Sequence, residues 1–161
     1  SVTYLTQRGQ TLAAAGLAYA SLQGAGVVAR VFLGWLADRT GRPAVNLTGQ
    51  AYLAAAAVAA YGLVPDGAPM ALVVGLATVA GFFGASWNGI YMAEIARLAP
   101  PDAVADATSG STLLTFLGYV LGPTLFAAAV PRLGWQVPFV LCGVQLAAMA
   151  VVQTVLLLRR R

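Results

Sequence analysis

Apolar residues run along this chain in five long stretches separated by short polar breaks: about 11–37, 44–64, 69–93, 109–130 and 137–158. Each is long enough for a helix of about 20 residues to cross a bilayer core. The breaks carry turn or charge chemistry: DRTGRP, PDGA, EIARLAPPDAVAD and PRLGWQ. A segment in hydrocarbon must satisfy its own backbone hydrogen bonds, so the pattern predicts helices. The roughly ten-residue alternation of a membrane β-barrel is absent. The expected fold is an all-α polytopic bundle of five transmembrane helices, a single membrane domain over residues 1–161.

Composition sharpens that picture. Sixty per cent of the residues are hydrophobic and 9% are charged, against about 25% charged in an ordinary soluble domain. With no histidine and one cysteine, Cys142, the chain lacks an internal disulfide, a Cys/His metal site and a histidine-based triad. We therefore expect no enzyme activity, no metal and no cofactor. The +4 charge comes from arginines alone. They are scattered along membrane borders rather than massed as a nucleic-acid surface, so the bilayer is the expected partner and no nucleic acid is.

Those arginines also orient the bundle. Arg39, Arg42, Arg97, Arg159, Arg160 and Arg161 fall on one side, and Arg8 and Arg132 on the other. The arginine-rich side is expected to be cytoplasmic, with the C-terminus inside and Ser1 outside. An odd number of spans with an outside N-terminus implies at least one further helix upstream. Arg30 belongs to neither border, because it lies within the first apolar segment.

The break after that segment, GWLADRTGRP (residues 34–43), resembles the loop signature of the major facilitator superfamily, carried here by Gly34, Leu36, Asp38, Arg39, Gly41 and Arg42. Pro43 departs from the basic residue often found last. Gly34 is expected to let a neighbouring helix approach, and Gly41 to permit a tight reversal. Asp38 stands at a helix end where negative charge is unfavourable, so it requires a cation or a helix N-terminus. The resemblance implies two six-helix halves, alternating access and no cofactor.

The third segment lacks the arginine usual in a fourth helix, and the chain ends in LLLRRR. Both features match helices eight to twelve, making this a C-terminal half whose N-terminal half is the missing partner. The second and fifth segments would then be peripheral. GYVLGP (Gly118, Gly122 and Pro123) resembles an antiporter motif, but Phe126 and Ala127 replace the double glycine that should follow.

A charge in hydrocarbon generally faces a cavity or a partner. Arg30, four residues before Gly34, resembles the eighth-helix arginine that binds substrate carboxylate in monocarboxylate and oxalate/formate-type transporters. A guanidinium fork suits such an anion. Gln23, seven residues earlier, shares its face. Trp87 and Asn88 in the third segment, and Thr115 and Tyr119 with Thr112 in the fourth, are the other candidates for lining a solute path. Interhelical bonding by Asn88, interfacial anchoring by Trp87 and backbone bonding by the threonines are the competing structural roles. Gln50, Gln145 and Gln153 have no evident role in this pattern.

With Glu94 placed at a segment exit, no carboxylate falls mid-membrane. Coupling to a co-transported proton would then need a group on other helices, or the pairing of Arg30 with its substrate. The expected function is secondary transport of a small organic anion across a bacterial inner membrane. A drug or neutral-solute antiporter and an inactive truncated fragment are the alternatives.

Overall fold

The computed structural model describes residues 2–159 and is built from helices alone. In chain order these are α1 (Val2–Gln7), α2 (Leu12–Thr40), α3 (Pro43–Gly62), α4 (Met70–Gly84), α5 (Asn88–Leu98), α6 (Val104–Leu133) and α7 (Gln136–Arg159). Arg160 and Arg161, counted above toward orientation, lie outside the described residues.

Local chemistry sets the helix ends. Thr11 caps α2, its hydroxyl accepting from Ala14 N at 3.2 Å. Gly41 ends α2 at φ 61°, and its N–H is donated to the Ala37 and Asp38 carbonyls. Pro43 then opens α3, a position where its missing N–H costs nothing. The residue that departs from the signature is thus the one that starts the next helix.

The structure departs from the sequence expectation in four ways. Residues 2–7, assigned to no segment, form α1. The fourth segment starts at Val104 rather than at 109, with Asp106 in its first turn, where a carboxylate complements the helix dipole. The third apolar segment breaks at residues 85–87 and runs on to Leu98, so Glu94 sits inside α5 and is buried. Finally, four helical runs among the described residues are long and apolar enough to cross a membrane: α2, the combined Met70–Leu98 run, α6 and α7. The 20-residue α3 is not among them, because Asn46, Thr48 and Gln50 dilute its apolar character.

Two close helix pairs organise the bundle, α2 against α4 and α3 against α7, with α4 also packed along α3. Small residues permit the approach, as expected where lipid is as apolar as the helices and packing must hold them together. A Cβ on Gly81 would collide with the Leu22 carbonyl, and one on Gly26 would lie 2.9 Å from Ala85 Cβ. On the other pair, a Cβ on Gly143 would lie 2.9 Å from the Ala55 carbonyl, and Gly62 meets Phe139. Ala54, Ala55 and Ala57 of the alanine run in α3 are buried, so part of that run is a packing surface. By contrast α6 buries no residue at all.

The end opposite the 40–43 loop is closed by α1. Tyr4 is fully buried among Tyr61, Trp135 and Phe139. Arg8 donates to Tyr4 Oη at 2.6 Å and to the Val64 carbonyl, and its Nε pairs with Asp66 at 2.8 Å.

Candidate functional site

The break between α4 and α5 falls at the middle of a 29-residue apolar run. Its sequence, GASWNG from Gly84 to Gly89, is rich in residues that hold a helix poorly. Irregular backbone at membrane depth persists only where protein or a wet cavity satisfies it. Here two side chains from different helices do so. Arg30 of α2 donates its Nε to the Ala85 carbonyl at 3.2 Å. Gln50 of α3 donates its Nε2 to the Phe83 carbonyl at 2.9 Å and to Ser86 Oγ at 2.7 Å. Ser86 in turn donates to the Phe82 carbonyl.

Arg30 lies ten residues before the end of α2, about 15 Å along the axis at 1.5 Å per residue. It is exposed and has no ion pair among the described residues. With Nε spent on Ala85, its two terminal nitrogens make no hydrogen bond there. They form the outward half of the guanidinium fork, the geometry that receives a carboxylate.

The break distributes the other expected residues over two faces. Asn88, the first residue of α5, donates Nδ2 to Tyr119 Oη of α6 at 3.0 Å. Arg30, the Ala85 carbonyl, Asn88 and Tyr119 therefore link α2, the break, α5 and α6. Thr115 and Thr112 return their hydroxyls to their own helix, to Ser111 and Thr108, at 2.9 and 2.8 Å. Gln23 is exposed on α2, two turns from Arg30. Trp87 instead lies edge-on to Tyr91, with ring centroids 5.3 Å apart. It lines a cavity shared with α3 and α7.

At the signature loop, Asn46 donates to Thr40 Oγ1 at 2.6 Å, stitching the start of α3 to the end of α2. The Arg39 guanidinium stands 5.6 Å from the centroid of the Trp35 ring, within cation–π range. Arg42 is exposed and its side chain caps nothing. Asp38 is exposed at the rim of a cavity of about 270 Å³ that Gly34, Gly89, Glu94 and Arg97 also line. Arg97 forms no ion pair with Asp38. It makes a two-pronged pair with Glu94, at 2.9 and 2.6 Å. The close helix approach expected at Gly34 occurs at Gly26 and Gly81 instead, since a Cβ on Gly34 meets nothing within 4 Å.

The profile of the Major Facilitator Superfamily matches residues 1–161. The chain belongs to the major facilitator superfamily. Comparison with curated proteins and with solved structures gives no match. As a superfamily member it is a multi-pass membrane protein of a transporter family, and such transporters bind small-molecule solutes.

Sequence reasoning missed Gln50, Ser86 and the Ala85 carbonyl as parts of this site. The available signal was the Gly-Ala-Ser-Trp-Asn-Gly interruption itself. In transporters built of two repeats, interrupted segments at corresponding positions of both halves point to the binding region, and this chain carries one such interruption.

Proposed function

We propose that this chain forms the C-terminal half of a secondary transporter for a small organic anion, with Arg30 as the anion contact. The observation that carries this reading is the Arg30 guanidinium, held by one nitrogen at a mid-membrane helix break while its two terminal nitrogens stay open. A carboxylate arriving there meets a cation already fixed by one bond, and charge-assisted hydrogen bonds are roughly twice as strong as neutral ones. Asn88 and Tyr119 supply neutral donors and acceptors along the same face, with Thr115 and Gln23 extending it.

In this reading the opposing half supplies the second wall of the cavity, and the two halves rock about the midplane. The Gly34–Arg42 loop serves as the conformational latch. Its arginines face the cytoplasm of a bacterial inner membrane, as does the C-terminus. Proton coupling falls to groups on the opposing half or to the Arg30–substrate pair.

The test is uptake of labelled mono- and dicarboxylates by the complete transporter in proteoliposomes. The expected result is carriage of at least one carboxylate, loss of its binding in Arg30→Gln, and slowed turnover with retained binding in Asp38→Asn. Normal carboxylate uptake by Arg30→Gln would make Arg30 structural. Carriage of neutral or cationic solutes alone would replace the anion reading.

A further inference from the structure

The break at residues 85–87 stands where an unbroken helix would make two further hydrogen bonds. With each N–H returning to the carbonyl four residues back, Phe83 would accept from Trp87, and Ala85 from Gly89. Neither bond is present among the described residues. The Phe83 carbonyl accepts instead from Gln50 Nε2 at 2.9 Å, and the Ala85 carbonyl from Arg30 Nε at 3.2 Å. Gln50 belongs to α3 and Arg30 to α2. Two helices thus occupy the carbonyls whose own bonds would close the break.

Gln50 is 4% exposed and grips the break twice. Its second amide hydrogen goes to Ser86 Oγ at 2.7 Å, and Ser86 spends its own proton on the Phe82 carbonyl. One amide therefore holds the last turn of α4 and the first residues beyond it. The grip has a cost, because Gln50 Oε1 is left buried without a donor. An unsatisfied acceptor of this kind opposes folding, and a leucine in its place would not carry that penalty. Stability alone does not account for a glutamine here. What its two donors do to the neighbouring backbone does.

We propose that Gln50 is a positioning residue for Arg30, acting through the break. While Gln50 holds the Phe83 carbonyl, Trp87 cannot take it, and the chain stays open at the turn whose Ala85 carbonyl anchors Arg30. Without Gln50 the Phe83–Trp87 bond closes, and further helix bonds add readily once a turn exists. Gly89 then takes the Ala85 carbonyl, and the guanidinium loses its one fixed point. Gln50 itself touches no solute. The role rests on the reading of Arg30 as the anion contact, and it works by holding the guanidinium fork ready in advance.

Two measurements on the complete transporter in proteoliposomes test this, with the parent, Gln50→Leu, Arg30→Gln and the double variant side by side. The first needs no ligand: amide hydrogen exchange at Trp87 and Gly89. Gln50→Leu is expected to slow exchange at both about tenfold, because each N–H gains an acceptor. Loss of a merely structural contact would quicken it. The second is the KM for uptake of labelled acetate and succinate. Gln50→Leu is expected to raise it roughly threefold to tenfold, with kcat little changed, and to add nothing in the Arg30→Gln background. Ser86→Ala, which releases one Gln50 hydrogen, should move both readouts the same way by less, and it stands in if Gln50→Leu does not fold. Unchanged or faster exchange at Trp87 and Gly89 would overturn the proposal. If Arg30→Gln raises KM and Gln50→Leu does not, the anion reading stands and the positioning role alone falls. If Arg30→Gln keeps the parental KM, both fall.

Discussion

Two arginines, Arg8 and Arg30, show how differently this chain treats a cation near its apolar core. The Arg8 side chain is 16% exposed, and its donors reach Tyr4, the Val64 carbonyl and Asp66. The Val64 and Asp66 contacts tie the end of α1 to the turn between α3 and α4, and the Tyr4 contact holds the guanidinium against α1 itself. Arg30 makes one bond, to a carbonyl that a helix break has released, and the rest of its fork is open. An arginine whose donors are spent inside the fold is a fastener. One that is fixed by a single nitrogen and otherwise unpaired is positioned to receive something.

Substitutions can break or sharpen that contrast. The largest effect is expected at the packing beneath the open face. Gly81→Val places a side chain against the Leu22 carbonyl, where α2 and α4 are closest. Overpacking of this kind should destabilise the protein by about 3 kcal/mol, read from thermal unfolding in detergent. If the variant proved as stable as the parent, the α2–α4 contact would not be what holds Arg30 over the break.

Arg30→Gln comes next. Loss of a charge-assisted hydrogen bond worth about 1.5–3 kcal/mol should weaken anion binding roughly tenfold to a hundredfold, with a loss of stability of no more than about 1 kcal/mol from the missing bond to the Ala85 carbonyl. A fall in stability without a loss of binding would place Arg30 beside Arg8 among the fasteners.

Arg8→Gln should do the reverse. We expect a loss of about 1–2 kcal/mol in stability, moderated because Asp66 is largely exposed, with the KM for uptake unaltered. A changed KM would show that the closed end communicates with the solute path.

The smallest effect concerns pH. Burial pushes the Tyr4 hydroxyl above its ordinary value of 10.0, although nearby Arg8 pulls it down. A raised folded-state value favours the neutral phenol, so its contribution is complete below pH 10 and declines as pH rises through the folded value. Tyr4→Phe should flatten the alkaline limb of a stability–pH curve, while Arg30→Gln leaves that limb alone.

Much of this architecture is legible in the residues, because bilayer thickness imposes segment length and turn chemistry marks the ends. Gly41 and the apolar segments illustrate this, and so does Arg30 as a residue apart. The break at 85–87 was legible only as composition. Five consecutive residues before it are apolar or small, Ala80 to Gly84, and hydropathy averages over such an interruption. Gln50 and Gln153 were opaque for a different reason. Their partners, Ser86 and Thr48, lie 36 and 105 residues away, and no local pattern records a pairing between distant helices. Gly34 misled because a glycine in a signature suggests close packing, whereas the contacts that need a missing Cβ occur at Gly26 and Gly81.

The polar character of α3 also bears on the order of events during synthesis. Asn46, Thr48 and Gln50 reach the membrane in a helix that is less apolar than its neighbours, before any of their later partners exists. The Gln50 contacts need Phe83 and Ser86, and Thr48 bonds Gln153, 105 residues downstream. At about 5–20 residues per second, α3 waits roughly 5–20 s for α7 to emerge. Thr48 waits out that whole interval for Gln153, whereas Gln50 must find water, a headgroup or a chaperoning surface only for about 2–7 s, until Phe83 and Ser86 emerge. A ribosome pause placed within that window is therefore where biogenesis of this bundle is most easily disturbed.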